Sequence, residues 1–123
     1  MKNVLIIIED VQLRYQLQNA LRIQMFHIIS TNNTWESIQL VQEQYPDLIA
    51  TDLDVFQNSS YQVLKQLREL TFLNQTPILL LNNQTNKDFC LKIWQLGITL
   101  FLPKPVNLDL LIQIISQTIK QTI

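Results

Sequence analysis

The sequence predicts a doubly wound three-layer α/β sandwich on a five-stranded parallel sheet, and three observations carry that prediction. Short apolar runs alternate with longer segments of helical period five times along the 123 residues. Four of the five runs are continuously apolar, the pattern of strands covered on both faces. No repeat, low-complexity tract or Gly/Ser linker divides the chain, so residues 1–123 are expected to form one domain.

Taken in order, residues 4–8 (VLIII) make the first strand and run into Glu9 and Asp10. Residues 13–21 carry apolar side chains three and four apart, which places them on one helical stripe. Residues 26–29 form the second strand, and residues 35–44 the second helix, with Asn33 or Thr34 as its cap and Pro46 stopping it. The third strand, residues 48–50, leads to Asp52 and Asp54, and residues 61–70 are again helical. Residues 78–81 (ILLL) are the fourth strand, ending at Asn82. The fourth helix, residues 87–96, is followed by Gly97, the only glycine, where a left-handed C-cap is wanted. Residues 100–102 give the fifth strand before Lys104, and a last helix starts at Leu108. Five βα units in series with right-handed crossovers make the three-layer sandwich.

Composition narrows the function classes. Apolar residues are 47% and charged residues 15%, which excludes a disordered chain and leaves solubility to Gln and Asn. A net charge of −1 with scattered Lys and Arg gives no basic stripe of the kind that neutralises a phosphate backbone, so no direct nucleic-acid binding is expected. Cys90 is the single cysteine and has no internal disulfide partner. The apolar run in MKNVLIIIED is too short for a signal peptide, and no stretch reaches membrane-spanning length. A cytoplasmic, reducing setting is the expectation.

Ligands of open α/β sheets collect beyond the carboxyl ends of the strands, and the polar outliers sit there. Glu9 and Asp10 follow strand one, Asp52 and Asp54 strand three, Asn82 strand four and Lys104 strand five. Like charges about 4 Å apart repel by roughly 4 kcal/mol at an effective dielectric near 20, so either a proton is retained or a cation neutralises the carboxylates. Oxygen-only ligands suit Mg²⁺ better than zinc. A carboxylate between such a cation and a lysine is equipped to receive a phosphoryl group, with Asp52 as nucleophile. A flavodoxin-like cofactor binder or small phosphotransfer enzyme is the rival, but the acidic turn after strand one lacks a Gly/Ser/Thr-rich phosphate cradle.

Glu9-Asp10 after strand one, PDLIATD leading into Asp52, PILLL before Asn82 and GITLFLPKP around Lys104 together resemble the receiver domain of two-component response regulators, over nearly the whole chain. The resemblance implies a flavodoxin-like strand order 2-1-3-4-5 with five helices. It implies Mg²⁺ held by Asp10, Asp52 and the backbone carbonyl of Asp54, with Glu9 acting directly or through water. Asp52 would take phosphate from a sensor histidine kinase or a phosphotransfer protein, Lys104 would contact the phosphoryl group, and Lys104-Pro105 would be cis. Asn82 and Phe101 fall at the family's switch positions. A domain of this kind signals through a surface rather than by catalysis, alone or ahead of an output domain such as a transcription regulator.

Five positions depart from the family pattern: Asn82 replaces Ser or Thr, Asn83 a small residue, Val55-Phe56 a Met-Pro pair and Ser60 a glycine. Asparagine can still donate to a phosphoryl oxygen, and Ser60 would be strained if its φ were positive. These departures sustain a second reading, a pseudo-receiver that keeps the fold and binds partners or dimerises without phosphorylation. His27 reads as a packed or edge residue, Cys90 as a small buried hydrophobe, and Trp35 and Trp94 as core or partly exposed packing residues. In the last helix Leu108, Leu111, Ile112, Ile115 and Ile119 form one stripe, and Leu110 and Ile114 widen it. With Trp94, they suggest a homodimer surface formed by helix 4, strand 5 and helix 5.

Overall fold

Alternation along the strands divides the apolar residues between two faces of one sheet, and this sorting builds the architecture. In the computed structural model, which describes residues 1–82, 86–98 and 100–120, the strands are β1 (Asn3–Ile7), β2 (His27–Thr31), β3 (Leu48–Asp52), β4 (Ile78–Leu81) and β5 (Leu100–Leu102). They pair in parallel in the order β2-β1-β3-β4-β5. The helices are α1 (Val11–Ile23), α2 (Thr34–Gln44), α3 (Ser60–Thr71), α4 (Lys87–Gln95) and α5 (Leu108–Thr118), with 3₁₀ turns at Asp54–Ser59 and Phe72–Asn74. The expected three-layer sandwich with five helices is observed.

Val4, Ile6, Leu48, Ala50, Leu79 and Leu81 point to one side, under α1 and α5, where Leu17, Leu21, Leu111 and Ile115 complete a core. Leu5, Ile7, Ile49, Ile78 and Leu80 point to the other, under α2, α3 and α4, against Val41, Leu64, Leu67 and Ile93. Burying each such side chain stabilises the fold by about 1.5–3 kcal/mol, before the cost of chain ordering.

The helix ends follow local chemistry. Asn33, rather than Thr34, caps α2, its side chain accepting from the Glu36 N–H at 2.9 Å. Tyr45 then takes a left-handed conformation (φ 48°) just before Pro46. Gly97, at φ 81°, follows α4 in the left-handed region. The Lys104-Pro105 bond is cis.

Several boundaries and environments differ from the sequence reading. β2 lies further along than residues 26–29, taking in Ser30 and Thr31, because an edge strand pairs on one side only and tolerates polar residues. His27 is exposed on that edge, with Nδ1 2.9 Å from Asn3 Oδ1. Trp35 is 80% exposed and Trp94 61%, so neither is a core residue. Trp94 follows Ile93, the residue of α4 that enters the core, and a helix turns about 100° per residue. Cys90 is half-buried rather than enclosed. On α5, Leu108, Ile112 and Ile114 pack onto the core, leaving Leu110 46% exposed. Ser60 has φ −52° and opens α3 without left-handed strain. Asn83 lies outside the described residues.

Candidate functional site

Asp52 ends β3, the central strand, and is fully buried. A carboxylate is tolerated there because donors surround it: the Glu9 N–H donates to Oδ2 at 3.1 Å, the Val55 N–H to Oδ1 at 3.3 Å, and Lys104 Nζ to Oδ2 at 3.4 Å. The strands set these neighbours. Thr51 pairs with Ile7, which places the β1–α1 turn beside Asp52. Leu81 pairs with both Asp52 and Leu102, which brings the segment after β5 to the same rim.

Two further contacts hold the rim. Arg14, in α1, donates from Nη1 to the Ile8 carbonyl at 2.7 Å and fixes the turn that carries Glu9. Val55 and Phe56 are buried beneath the 3₁₀ turn, anchoring it where the Val55 N–H meets Asp52. Neither Arg14 nor the Val55 amide is legible from motif spacing, although an arginine one turn after the Asp10 cap is within reach of the strand end.

Lys104 bridges two carboxylates. Its Nζ is 2.7 Å from Asp54 Oδ2 and 3.4 Å from Asp52 Oδ2. Burial alone pulls the ammonium pKa down, but the hydrogen bond to Asp54, the charges of Asp52 and Asp54 and the hydrogen bond to Asp52 outweigh it, and the pKa lies above its ordinary value.

The remaining acidic residues are arranged differently. Asp10 is exposed and caps α1, with Oδ1 accepting from the Leu13 N–H at 2.9 Å. It also lines a cavity of about 330 Å³ with Leu13, Gln16, Lys104 and Pro105. Glu9 is exposed and contributes its backbone N–H to Asp52. Asn82 is half-buried, with its N–H donating to the Leu102 carbonyl at 2.9 Å. Phe101 is half-buried against the α2-α3-α4 side of the core. Among the described residues, no three Asp, Glu, His or Cys side chains stand close enough together to hold a metal ion. The donor chemistry at the rim, carboxylates and backbone carbonyls without thiolate, fits a hard divalent cation, which would share the Asp52 carboxylate with the Lys104 ammonium.

A doubly wound sheet with its polar groups gathered at the carboxyl edge defines a broad class of α/β proteins. Within it this chain belongs to the response regulator receiver domain family, whose sequence model, described as "Response regulator receiver domain", matches residues 4–116. The polar-differentiation response regulator DivK of Brucella anthropi is 27% identical over 117 residues, covering 94% of this chain and 95% of DivK. The transcriptional regulatory protein ZraR of Klebsiella oxytoca is 23% identical over 98% of this chain, which spans 27% of ZraR. The structure of the Vibrio cholerae chemotaxis protein CheY4 superposes with a TM-score of 0.82 at 21% identity, covering 97% of this chain and 99% of CheY4, a likeness of fold.

Proposed function

We propose that this receiver domain is a phosphoacceptor, taking a phosphoryl group onto Asp52 from a sensor histidine kinase or phosphotransfer protein in the cytoplasm. The observation that carries this reading is the fully buried Asp52 carboxylate at the end of the central strand, reached by Lys104 and by the Glu9 amide.

In the transfer, an Asp52 carboxylate oxygen attacks phosphorus and forms an acyl phosphate as the bond from phosphorus to the donor's imidazole nitrogen breaks. The imidazole leaves with that electron pair. Lys104 neutralises charge on the phosphoryl oxygens. Asp52, Asp10, the backbone carbonyl of Asp54 and, directly or through water, Glu9 are the residues that would hold Mg²⁺, whose chemistry is to screen the same oxygens. Asn82 takes the position of the switch hydroxyl, and its amide donates to the phosphoryl group. Output passes through the α4-β5-α5 surface, with Phe101 reporting the state and Trp94 and Leu110 forming a homodimer contact. The domain is itself the acceptor of the phosphoryl group rather than an enzyme acting on a separate substrate, and it binds no nucleic acid.

The test is incubation with acetyl phosphate and Mg²⁺ followed by intact mass measurement. Wild type gains one phosphoryl group and Asp52→Asn gains none; an unmodified wild type overturns the reading. The second reading, a phosphorylation-independent interaction module, draws support from Asn82 in place of a hydroxyl and from the close Lys104–Asp54 pair.

A further inference from the structure

The geometry points to Asp54 as a positioning residue that competes with Asp52 for Lys104, so that phosphorylation draws an ammonium shared between the two carboxylates off Asp54 and onto the phosphoryl group. This inference rests on the reading of Asp52 as phosphoacceptor. Charge-assisted N–H···O bonds are shortest near 2.7–2.9 Å. The Lys104–Asp54 contact of 2.7 Å meets that range and the Lys104–Asp52 contact of 3.4 Å does not. The ammonium therefore bridges both carboxylates, with its shorter bond to Asp54.

The occupancy of Asp52 explains the asymmetry. Both its oxygens already accept backbone N–H bonds, from Val55 and Glu9, and the carboxylate is buried, so the lysine approaches an acceptor that is partly satisfied. The Asp54 side chain is 64% exposed, at the first position of the 3₁₀ turn, and that turn is fixed by the buried Val55 and Phe56. A carboxylate so placed captures the lysine and, when the lysine leaves, is solvated at little cost. A phosphoryl group on Asp52 adds negative charge and new acceptor oxygens within reach of Lys104, which strengthens the Asp52 side of the competition for the ammonium. Asp54 thus retards the reaction from the resting state and leaves the charge of the product site unchanged in kind. Because the holding pair is exposed, salt screens it.

The experiment compares wild type, Asp54→Asn, Lys104→Met and the double variant. The readouts are initial rates of phosphoryl incorporation from acetyl phosphate with Mg²⁺, and ¹⁵N-lysine side-chain NMR of the unphosphorylated proteins. An exposed ion pair is worth little, so Asp54→Asn is expected to accelerate wild type about two- to five-fold. It is expected to change nothing in the Lys104→Met background, and to shift the Lys104 Nζ resonance. The wild-type rate rises with ionic strength relative to Asp54→Asn.

Equal acceleration in both backgrounds overturns the proposal, because Asp54 would then act on the donor as a bare anion. An unmoved Nζ resonance overturns it as well. If no protein takes up phosphate, the phosphoacceptor reading falls. The NMR still decides the pairing in that case: a shifted resonance supports Asp54 as the holder of Lys104, and an unmoved one refutes it.

Discussion

Lys104 reaches from the segment after β5 to the end of β3, where its Nζ lies 3.4 Å from the Oδ2 of a fully buried Asp52. The lysine is thus a structural counter-charge as well as a candidate phosphoryl ligand. Lys104→Met leaves a buried carboxylate with only the Glu9 and Val55 amides, and the expected loss is about 1–3 kcal/mol of stability. Adding Asp52→Asn removes the orphaned charge and should restore at least half of it. Urea unfolding of the four proteins measures this cycle, and additive losses would show that the two side chains do not interact.

The same pair predicts a pH dependence of one sign. The folded-state pKa of Lys104 is raised, so the stability it contributes is fully present below its ordinary value of 10.5 and is lost as pH climbs through the raised value. The gap between wild type and Lys104→Met should stay constant from neutral pH to about pH 10 and close above it. Urea midpoints across that range check the prediction, and a gap that closes between pH 7 and 9 contradicts it.

Asn82 sits half-buried at the end of β4, with its backbone N–H donating to the carbonyl of Leu102, next to Phe101. If Asp52 is phosphorylated as proposed, Asn82→Thr introduces a small hydroxyl that would follow a phosphoryl oxygen inward, whereas the longer asparagine side chain would reach it with less backbone movement. Phosphorylated Asn82→Thr should therefore protect the Phe101 amide from hydrogen exchange more than phosphorylated wild type does. Equal protection would mean that strand 5 does not respond to the residue at position 82.

The elements most legible in the sequence are those with a single physical cause. β4 and β5 coincide with their apolar runs, because both are bounded by polar or turn residues. β3 runs past its apolar stretch through Thr51 to Asp52, since Thr51 satisfies its hydroxyl on the Asp52 carbonyl and Asp52 finds donors from three other segments. β2 is displaced because its polar end is paired on one side only. At the site, the strand ends bring Asp52 and Lys104 together, and topology alone makes that readable. The preference of Lys104 for Asp54 and the grip of Val55 on Asp52 depend on the 3₁₀ turn at Asp54–Ser59, which leaves no period in the sequence. Asp10 illustrates a competition of roles: the residue that resemblance makes a cation ligand has its Oδ1 on its own helix.

Gly97 gives a test of backbone conformation free of steric overlap. At φ 81° it occupies a region that L side chains disfavour, yet among the described residues a Cβ placed there meets nothing nearer than Arg68 Nε at 3.9 Å. Gly97→Ala should destabilise by about 1 kcal/mol through conformation alone, and Gly97→Asn by less, because asparagine tolerates the left-handed region. Chemical denaturation ranks the three proteins, and an alanine variant as stable as wild type would refute the argument.

Trp94 and Leu110 carry the final prediction, because their exposure is not explained by folding. They are 61% and 46% exposed, on α4 and α5, the helices that flank β5 in the proposed output surface. Leaving such side chains in water forgoes burial worth about 25 cal/mol per Å². If that burial is recovered in a homodimer, sedimentation of wild type should show association that grows with concentration. Trp94→Glu should then weaken it at least about ten-fold, since each 1.4 kcal/mol of lost contact is one decade in affinity. The melting temperature at low concentration should not fall, because Trp94 contributes little to the monomer core. A monomeric wild type would refute the homodimer, and a dimer indifferent to Trp94→Glu would place the contact on another face.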